Sequence, residues 1–554
     1  MGSLSICSSK LGSQTLSPSI VGTPVLSSSK LGAPAFIVAI PNRATTHRLP
    51  VKVCCSATSE ADSTPKKTIP GPMKLPFIGN LYNLVGSPPH HALRDLAKQY
   101  GPLMHVQLGE ISALVVSSAE LAEEVLKTHE LSFAQRPNVL ASSIMTYGGQ
   151  DLVFSPYGDY WKQMRKICVT EMLSPRKVQS FSSVRHEEVA NLLKFVRASA
   201  GKPFDFTERV FLYTNKVTCR TAFGNTCSEE LQDAVLEGLR EATALAGGFD
   251  LADLFPSLEF LQGLSGIKSK LERIQEKMTR LLDEIIQDHK EELMNSKNGT
   301  ADAEDDDLVN VLLKSQEGGN LKCPITTTSL KAVILDMFVA GTDTSSLTVE
   351  WAMSEMMRNP RVLKKAQAEV RRVFKGKEKI TDEDVQQLSY LKLVIKEALR
   401  LHPPAPLLLP RETREACVID GYEIPEKTKL MVNAYSIGRD PKYWREPLSF
   451  MPERFEDSSV DFRGLHFQYL PFGAGRRICP GITFGMANIE LPIAQLLYHF
   501  DWKLPEGTTP ENLDMTEGSG ATIGRKATLY LVPTPHVFSH DESNQSMETM
   551  QVLN

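Results

Sequence analysis

The chain has 554 residues, 42% hydrophobic and 23% charged, so a packed globular core is expected. A formal charge of −5 is small for this length and speaks against the basic face that nucleic-acid binding needs. The nine cysteines include no Cys-x-x-Cys and are odd in number, which points to neither a disulfide framework nor a zinc site and suits a reducing compartment.

Residues 1–57 differ from everything after them. No acidic residue precedes Glu60, serine is abundant, and five Lys/Arg are spread along the segment. Ser-rich, acid-poor composition is that of a transit peptide, and 51–56 is similar to a stromal processing site. The expectation is a chloroplast transit peptide over 1–57; a merely unstructured tail would have the same composition. The apolar run at 35–40 falls far short of the roughly 20 residues that span a bilayer. A polar linker over 58–68 leads to Ile69-Pro70-Gly71-Pro72, where proline and glycine impose a stiff, extended entry.

Residues 103–108 and 113–116 read as a β-hairpin. Helical periodicity dominates afterwards, near 119–128, 186–199, 229–246, 266–295, 326–358 and 360–374. Residues 298–307 form a surface loop; its sequon Asn298-Gly299-Thr300 is silent outside the secretory pathway. Its acidic run reads as a solvated loop or helix cap, not a metal site. Residues 538–554 are a polar tail, expected to be disordered. Between linker and tail, 69–537 reads as one large domain, mainly α with minor β (α+β).

Two stretches in this domain carry chemistry. The first is Ala340-Gly341-Thr342-Asp343-Thr344-Ser345, in the middle of an apolar helix over 329–359. At 1.5 Å per residue that helix runs about 45 Å, enough to cross a domain. Hydroxyls and a carboxylate in its middle are costly if buried without partners. Threonine there can bond the carbonyl one turn back, and Gly341 leaves room for a flat ligand. An exposed polar stripe is the plainer reading, but Phe338, Val339 and Leu347 flank the site.

The second stretch, 472–481, reads Phe-Gly-Ala-Gly-Arg-Arg-Ile-Cys-Pro-Gly. Cys479 sits in a glycine-rich turn ahead of an apolar segment of helical character. A helix N-terminus offers unpaired N–H groups and the positive end of the dipole, which favour thiolate. Gly473, Gly475 and Gly481 let a flat ligand approach the sulfur. Arg477 offers a fork of donors to a carboxylate. Thiolate, open backbone and such a cation are what axial ligation of haem requires. A small buried hydrophobe is the commonest fate of a free cysteine.

The pattern Phe-x-x-Gly-x-Arg-x-Cys-x-Gly fixes five positions in ten and resembles the haem-binding signature of the cytochrome P450 superfamily. The resemblance extends over essentially all of 69–537. It implies the cytochrome P450 fold, with haem b sandwiched between the long distal helix and a proximal cysteine loop and helix. It implies Cys479 as axial thiolate to the iron, with Phe472, Gly473 and Arg477 in the cofactor site. Trp161 and Arg165 match the family's Trp-x-x-x-Arg at the haem propionates, and Arg411, after Leu409-Pro410, matches another propionate contact. By the same resemblance Thr344 hydrogen-bonds dioxygen and Asp343 relays protons. Glu397, Arg400 and Arg454 form a buried supporting network. Electrons come indirectly from NADPH, through a cytochrome P450 reductase or, in a plastid, a ferredoxin. Plant members usually begin with a membrane anchor, and the first 60 residues hold no apolar run of that length. The expected location is therefore the plastid, with the endoplasmic reticulum surface as the alternative and peripheral membrane contact in either case.

By family analogy the substrate wall comes from Ile144-Met145, Leu245-Ala246, Phe338-Val339-Ala340, 405–409 and Ala521-Thr522-Ile523. None carries a charge, so a hydrocarbon or weakly polar substrate is expected; core packing is the plainer role for Leu407 to Leu409. Stretches 100–105, 159–168 and 498–505 look like those of plant terpenoid hydroxylases. With a plastid address this favours a diterpene of casbane or cembrane type; a sesquiterpene or an alkaloid is the alternative. Outside monooxygenation stand a hydroperoxide rearrangement like that of allene oxide synthases, and non-catalytic haem binding. Those synthases lack an acid–threonine pair, so Asp343-Thr344 speaks against them.

Overall fold

The computed structural model describes residues 67–537 apart from 225–233, 239, 243–250, 259–265, 297–306 and 319–320. The expected transit peptide, most of the linker, the tail, Leu245-Ala246 and the sequon lie outside the described residues, as does much of 229–246.

Pro89 opens helix α1 (Pro89–Tyr100), at a position where the missing N–H is no loss. The expected hairpin follows as β1 (Leu103–Leu108) and β2 (Ile111–Val116), antiparallel with Leu108 opposite Ile111. Two later strands complete its sheet. β3 (Arg411–Glu412) pairs with β4 (Lys429–Val432), and β4 lies parallel to β2, giving the order β1-β2-β4-β3. Arg411 is thereby held opposite Leu430.

Helices supply the rest: α2 (Asp159–Ile167), α3 (Phe206–Phe223), α4 (Thr327–Arg358), α5 (Ser389–Leu401) and α6 (Ile482–His499). β5 (Phe500–Lys503) continues α6 and pairs with β6 (Tyr530–Pro535). The architecture is mainly α with small sheets, as expected. Asp307, last of the acidic run, caps the helix Leu308–Glu317 by accepting from the Asn310 amide at 2.8 Å.

α4 explains where the site lies. Thr326 and Ser329 close a capping box at its start. Leu330, Val333, Ile334, Leu335 and Phe338 belong to one apolar cluster, with Trp161, Met164 and Ile286. Val349 to Met357 belong to another, with Val394, Ile489 and Leu496. The polar stretch 340–346 falls between the two cores. By length and composition α4 could cross a membrane, but both clusters wrap it as the core helix of this domain. It packs on α3 along one side and on α6 along another.

Candidate active site

Between α4 and the turn before α6 lies one cavity. Ala340, Gly341, Thr344 and Ser345 line it from α4, and Phe472, Gly473, Arg477 and Cys479 face them. The two stretches singled out in the sequence, some 130 residues apart, are opposite walls of one space.

Backbone geometry places the sulfur. The Cys479 amide donates to the Phe472 carbonyl at 3.0 Å, closing the turn. Gly475 adopts φ +68°, and a Cβ there would lie 2.0 Å from the Leu126 carbonyl oxygen, so no other residue fits. Gly473 is also left-handed, at φ +70°. Gly341 serves packing as well as access: a Cβ would come within 3.2 Å of Thr218 on α3 and 3.4 Å of Phe484 on α6. Burial pushes the Cys479 thiol up, outweighing the Gly481 amide and the Arg165 guanidinium that pull it down. A cation against the sulfur would favour its ionised form.

Four guanidiniums line the same cavity. Arg165 donates to the Ile478 carbonyl at 2.6 Å. Arg411 donates to the Ala474 carbonyl at 3.0 Å. Arg477 donates to the carbonyls of Ala134 at 3.0 Å and Ser155 at 2.7 Å. Arg136, which the sequence reading missed, donates to the carbonyls of Val153, Leu409 and Pro410 at 3.0, 2.8 and 2.7 Å. No motif marks Arg136; it enters the cluster where Gln135 bridges Glu412, beside Arg411 on β3. Among the described residues, none of the four has a carboxylate within ion-pair distance. Burial, then mutual repulsion, lowers Arg136 and Arg477 to about 9 and Arg411 to about 10. One Nη1 each of Arg411 and Arg477 is buried without a partner.

Acids nearby do not cancel this charge. Asp336 of α4 accepts from the amides of Leu152 and Val153 at 2.6 and 3.0 Å, and Asp151 accepts from Phe154 at 2.7 Å. Burial raises both; Asp151 raises Asp336 further, while the Arg136 and Arg477 guanidiniums pull Asp151 down. Buried cations in excess, two of them with an orphaned donor, favour an anionic occupant of the cavity they line. A flat macrocycle with two carboxylates and a metal open to Cys479 satisfies the donors, the excess charge and the sulfur together. The residues present fit haem.

Two site residues stand differently from expectation. Trp161 does not line the cavity. Its indole N–H donates to the Leu152 carbonyl at 3.0 Å, and its ring lies under Arg477 at 4.2 Å and Arg165 at 5.4 Å. A donor already spent on the backbone has none left for a propionate; Trp161 backs the two arginines that do face the cavity. Asp343 does not line it either. Its carboxylate accepts from the Thr522 hydroxyl, on the hairpin 517–525, and burial raises it. Thr344 behaves as expected: it lines the cavity and donates to the Ala340 carbonyl one turn back, at 2.8 Å.

Only part of the expected substrate wall lines the cavity. Ala340, Ala405, Leu408 and Leu409 line the cavity. Phe338 is instead stacked on Phe223 in the core, Met337 taking the cavity position, and Leu407 packs in a separate cluster. Glu397, fully buried, accepts from Arg400 at 2.7 and 2.8 Å and from Arg454 at 2.9 Å, as the motif implied.

Comparison with known proteins agrees. The cytochrome P450 family model matches residues 69–532. Premnaspirodiene oxygenase of Hyoscyamus muticus is 57% identical, over 86% of this chain and 94% of the relative. 5-Epiaristolochene 1,3-dihydroxylase of Nicotiana tabacum is 54% identical over the same shares. Desmethyl-deoxy-podophyllotoxin synthase of Sinopodophyllum hexandrum is 55% identical, over 84% of this chain and 92% of the relative. A solved zebrafish cytochrome P450 with progesterone superposes with TM-score 0.70 at 24% identity, covering 81% of this chain and all of that one, which speaks to the fold alone. The chain belongs to the cytochrome P450 family: it is a haem b monooxygenase whose electrons come from NADPH through a reductase.

Proposed function

We propose that this monooxygenase hydroxylates a sesquiterpene hydrocarbon, with Cys479 as axial ligand and Arg136, Arg165, Arg411 and Arg477 holding the haem propionates. One observation carries the site assignment: the buried guanidiniums of Arg136, Arg411 and Arg477 and the half-buried one of Arg165, without an acid partner among the described residues, line the cavity that Cys479 closes from the other side. When bound, haem supplies reductive activation of dioxygen for insertion of one oxygen atom into a C–H bond. Thr344 presents its hydroxyl oxygen to the cavity while its proton is held on Ala340. Asp343, whose carboxyl burial pushes up, stands one residue away as the proton reserve.

The substrate reading rests on relatives and wall together. Two relatives above 50% identity carry premnaspirodiene and 5-epiaristolochene in their names. Met172, Leu173, Phe181, Ala222, Leu308 and Leu408 give the cavity an apolar wall suited to a hydrocarbon recognised by shape. The diterpene expectation leaned on a plastid address in residues outside those described, and it gives way to the sesquiterpene. The podophyllotoxin-named relative at similar identity keeps a second substrate class in the test. The acid–threonine pair, and relatives named oxygenase and dihydroxylase, favour hydroxylation over hydroperoxide rearrangement or passive haem binding.

Location follows from a different surface. Met73, Phe77 and Val85 are 75%, 91% and 81% exposed within one short segment, and Phe77 holds φ +64°. Bulky apolar side chains held outward on a strained backbone suit peripheral contact with a membrane, where a membrane-bound cytochrome P450 reductase can serve as donor. That favours the endoplasmic reticulum surface over the plastid and reductase over ferredoxin. The test is co-expression with that reductase beside premnaspirodiene, 5-epiaristolochene, casbene, cembrene and a podophyllotoxin precursor, with products read by mass spectrometry. Oxidation of the sesquiterpenes is expected. Turnover of the diterpenes alone overturns the substrate reading. Cys479→Ala should abolish the thiolate-specific absorbance of the reduced carbon monoxide complex.

A further inference from the structure

Away from the haem cavity, three histidines and a carboxylate converge from three distant parts of the chain. His90 and His91 come from the first turn of α1, His402 directly follows α5, and Glu517 begins the hairpin 517–525. Neighbouring residues on a helix point about 100° apart. Yet the Nε2 atoms of both His90 and His91 reach the same oxygen, Glu517 Oε2, at 2.6 and 2.8 Å. All three ligand atoms lie within 4.8 Å of one another.

His402 supplies the independent pointer. Its Nε2 lies 2.7 Å from Glu355 Oε1, and its ring stacks on Trp351 at 3.9 Å, 3° from parallel. Its Nδ1 is buried without a hydrogen-bond partner and stands 3.9 Å from Glu517 Oε1, in a side chain only 9% exposed. A histidine that gives one N–H to a carboxylate and directs its other nitrogen, unpaired, at a cluster of donors has the arrangement of a metal ligand with its supporting acid. Tyr435 fixes the other two rings, stacked on His91 at 4.5 Å and edge-on to His90 at 4.8 Å.

We infer that His90 Nε2, His91 Nε2, His402 Nδ1 and the Glu517 carboxylate form a site for one divalent cation of the zinc class. Three imidazoles and one carboxylate suit zinc better than calcium or magnesium, which take oxygen ligands. Ligand atoms around a tetrahedral zinc with bonds of about 2.0 Å stand about 3.3 Å apart. The hydrogen-bonded pairs at 2.6 and 2.8 Å therefore open slightly, and the 3.9 Å gap to His402 closes. His91, 28% exposed, is the side of entry. Arg439, whose charge is felt by both His90 and Glu517, is the competing counter-ion, and it favours the metal-free hydrogen-bonded form. A bound cation would tie the start of the domain to the hairpin that holds Asp343.

The test uses the full-length haem protein, stripped with a chelator, dialysed against zinc chloride, desalted and analysed for zinc and iron by mass spectrometry. The wild type is compared with His91→Ala and with Glu517→Gln; the reduced carbon monoxide spectrum confirms that each is folded. Wild type should keep one zinc per haem beyond what His91→Ala keeps, and zinc should raise the melting temperature of the wild type alone. His91 is partly exposed, so its variant is informative even if Glu517→Gln fails to fold. Equal zinc in wild type and His91→Ala, with no shift in melting temperature, overturns the inference and leaves the cluster as a hydrogen-bonded tie balanced by Arg439.

Discussion

The carboxylate of Asp343 on α4 accepts a hydrogen bond from the hydroxyl of Thr522, a residue from a different element 179 positions away. Asp343 thus faces the hairpin 517–525 and not the cavity, although its neighbour Thr344 faces the cavity directly. Burial raises the acid and the Thr522 hydroxyl lowers it. Proton delivery through Asp343 therefore needs a water to bridge the two faces of the helix while Thr522 holds the carboxylate in place.

Thr522→Val tests this. Losing the hydroxyl raises Asp343 further, so the acid holds its proton to higher pH and delivers it less readily. The fraction of NADPH converted to product should fall several-fold, with haem content unchanged and peroxide release increased. Thr344→Ala should uncouple at least as strongly. Unchanged coupling in Thr522→Val would mean that the Asp343–Thr522 bond is structural only.

Removing one arginine separates haem binding from folding. The buried guanidiniums of Arg136, Arg411 and Arg477 repel one another. Arg136→Met should lower haem occupancy several-fold yet leave the haem-free protein as stable or more so, since a buried cation is replaced by an apolar chain. Haem content per protein and the melting temperature of haem-free protein are the two readouts. A haem-free protein that melts markedly lower would show the carbonyl bonds of Arg136 to outweigh the repulsion.

Glu397 is the opposite case. It balances Arg400 and Arg454 and also accepts from the Met451 amide at 2.8 Å. Glu397→Gln leaves two guanidiniums without their acid and should destabilise by about 3–5 kcal/mol, the usual consequence of breaking a buried ion pair. Little folded, haem-loaded protein is expected. Near-normal expression with a normal carbon monoxide spectrum would show that the backbone carbonyls of Gly438, Pro447 and Ser449 suffice for Arg400.

What could be read from the sequence divides along physical lines. Cys479, Thr344, Arg477 and Glu397 announced themselves because haem ligation and buried ion pairs demand particular residue types at fixed local spacings. The hairpin of β1 and β2 and most of the long helices were legible from periodicity. Arg136 was not, since it joins the site through a loop with no local pattern. Thr522 was named only as a wall residue, because a pairing across 179 positions leaves no trace in either segment. Spacing puts Trp161 beside Arg165 on α2 but does not show that its indole N–H goes to the Leu152 carbonyl. Phe338 and Met337 exchange roles for a similar reason, as one residue on a helix is about 100° of rotation.

Glu350 gives a prediction in pH. It lies on α4 two turns beyond Asp343, accepts from the Thr207 hydroxyl, and sits 3.9 Å from Arg525, next to the hairpin that carries Thr522. Burial, the largest cause, raises it from 4.5 to about 7, against the pull of Thr207 and Arg525. An acid whose folded value is raised binds its proton more tightly in the folded state. Its contribution is therefore fully present below pH 4.5 and is lost as pH rises through about 7. The loss across that window is about 3 kcal/mol at most. Glu350→Gln keeps the shape, holds no charge, and should flatten the fall in melting temperature between pH 5 and 8 by the equivalent of nearly one proton. Parallel curves for wild type and Glu350→Gln across that range would show that Arg525 holds Glu350 ionised in the folded protein.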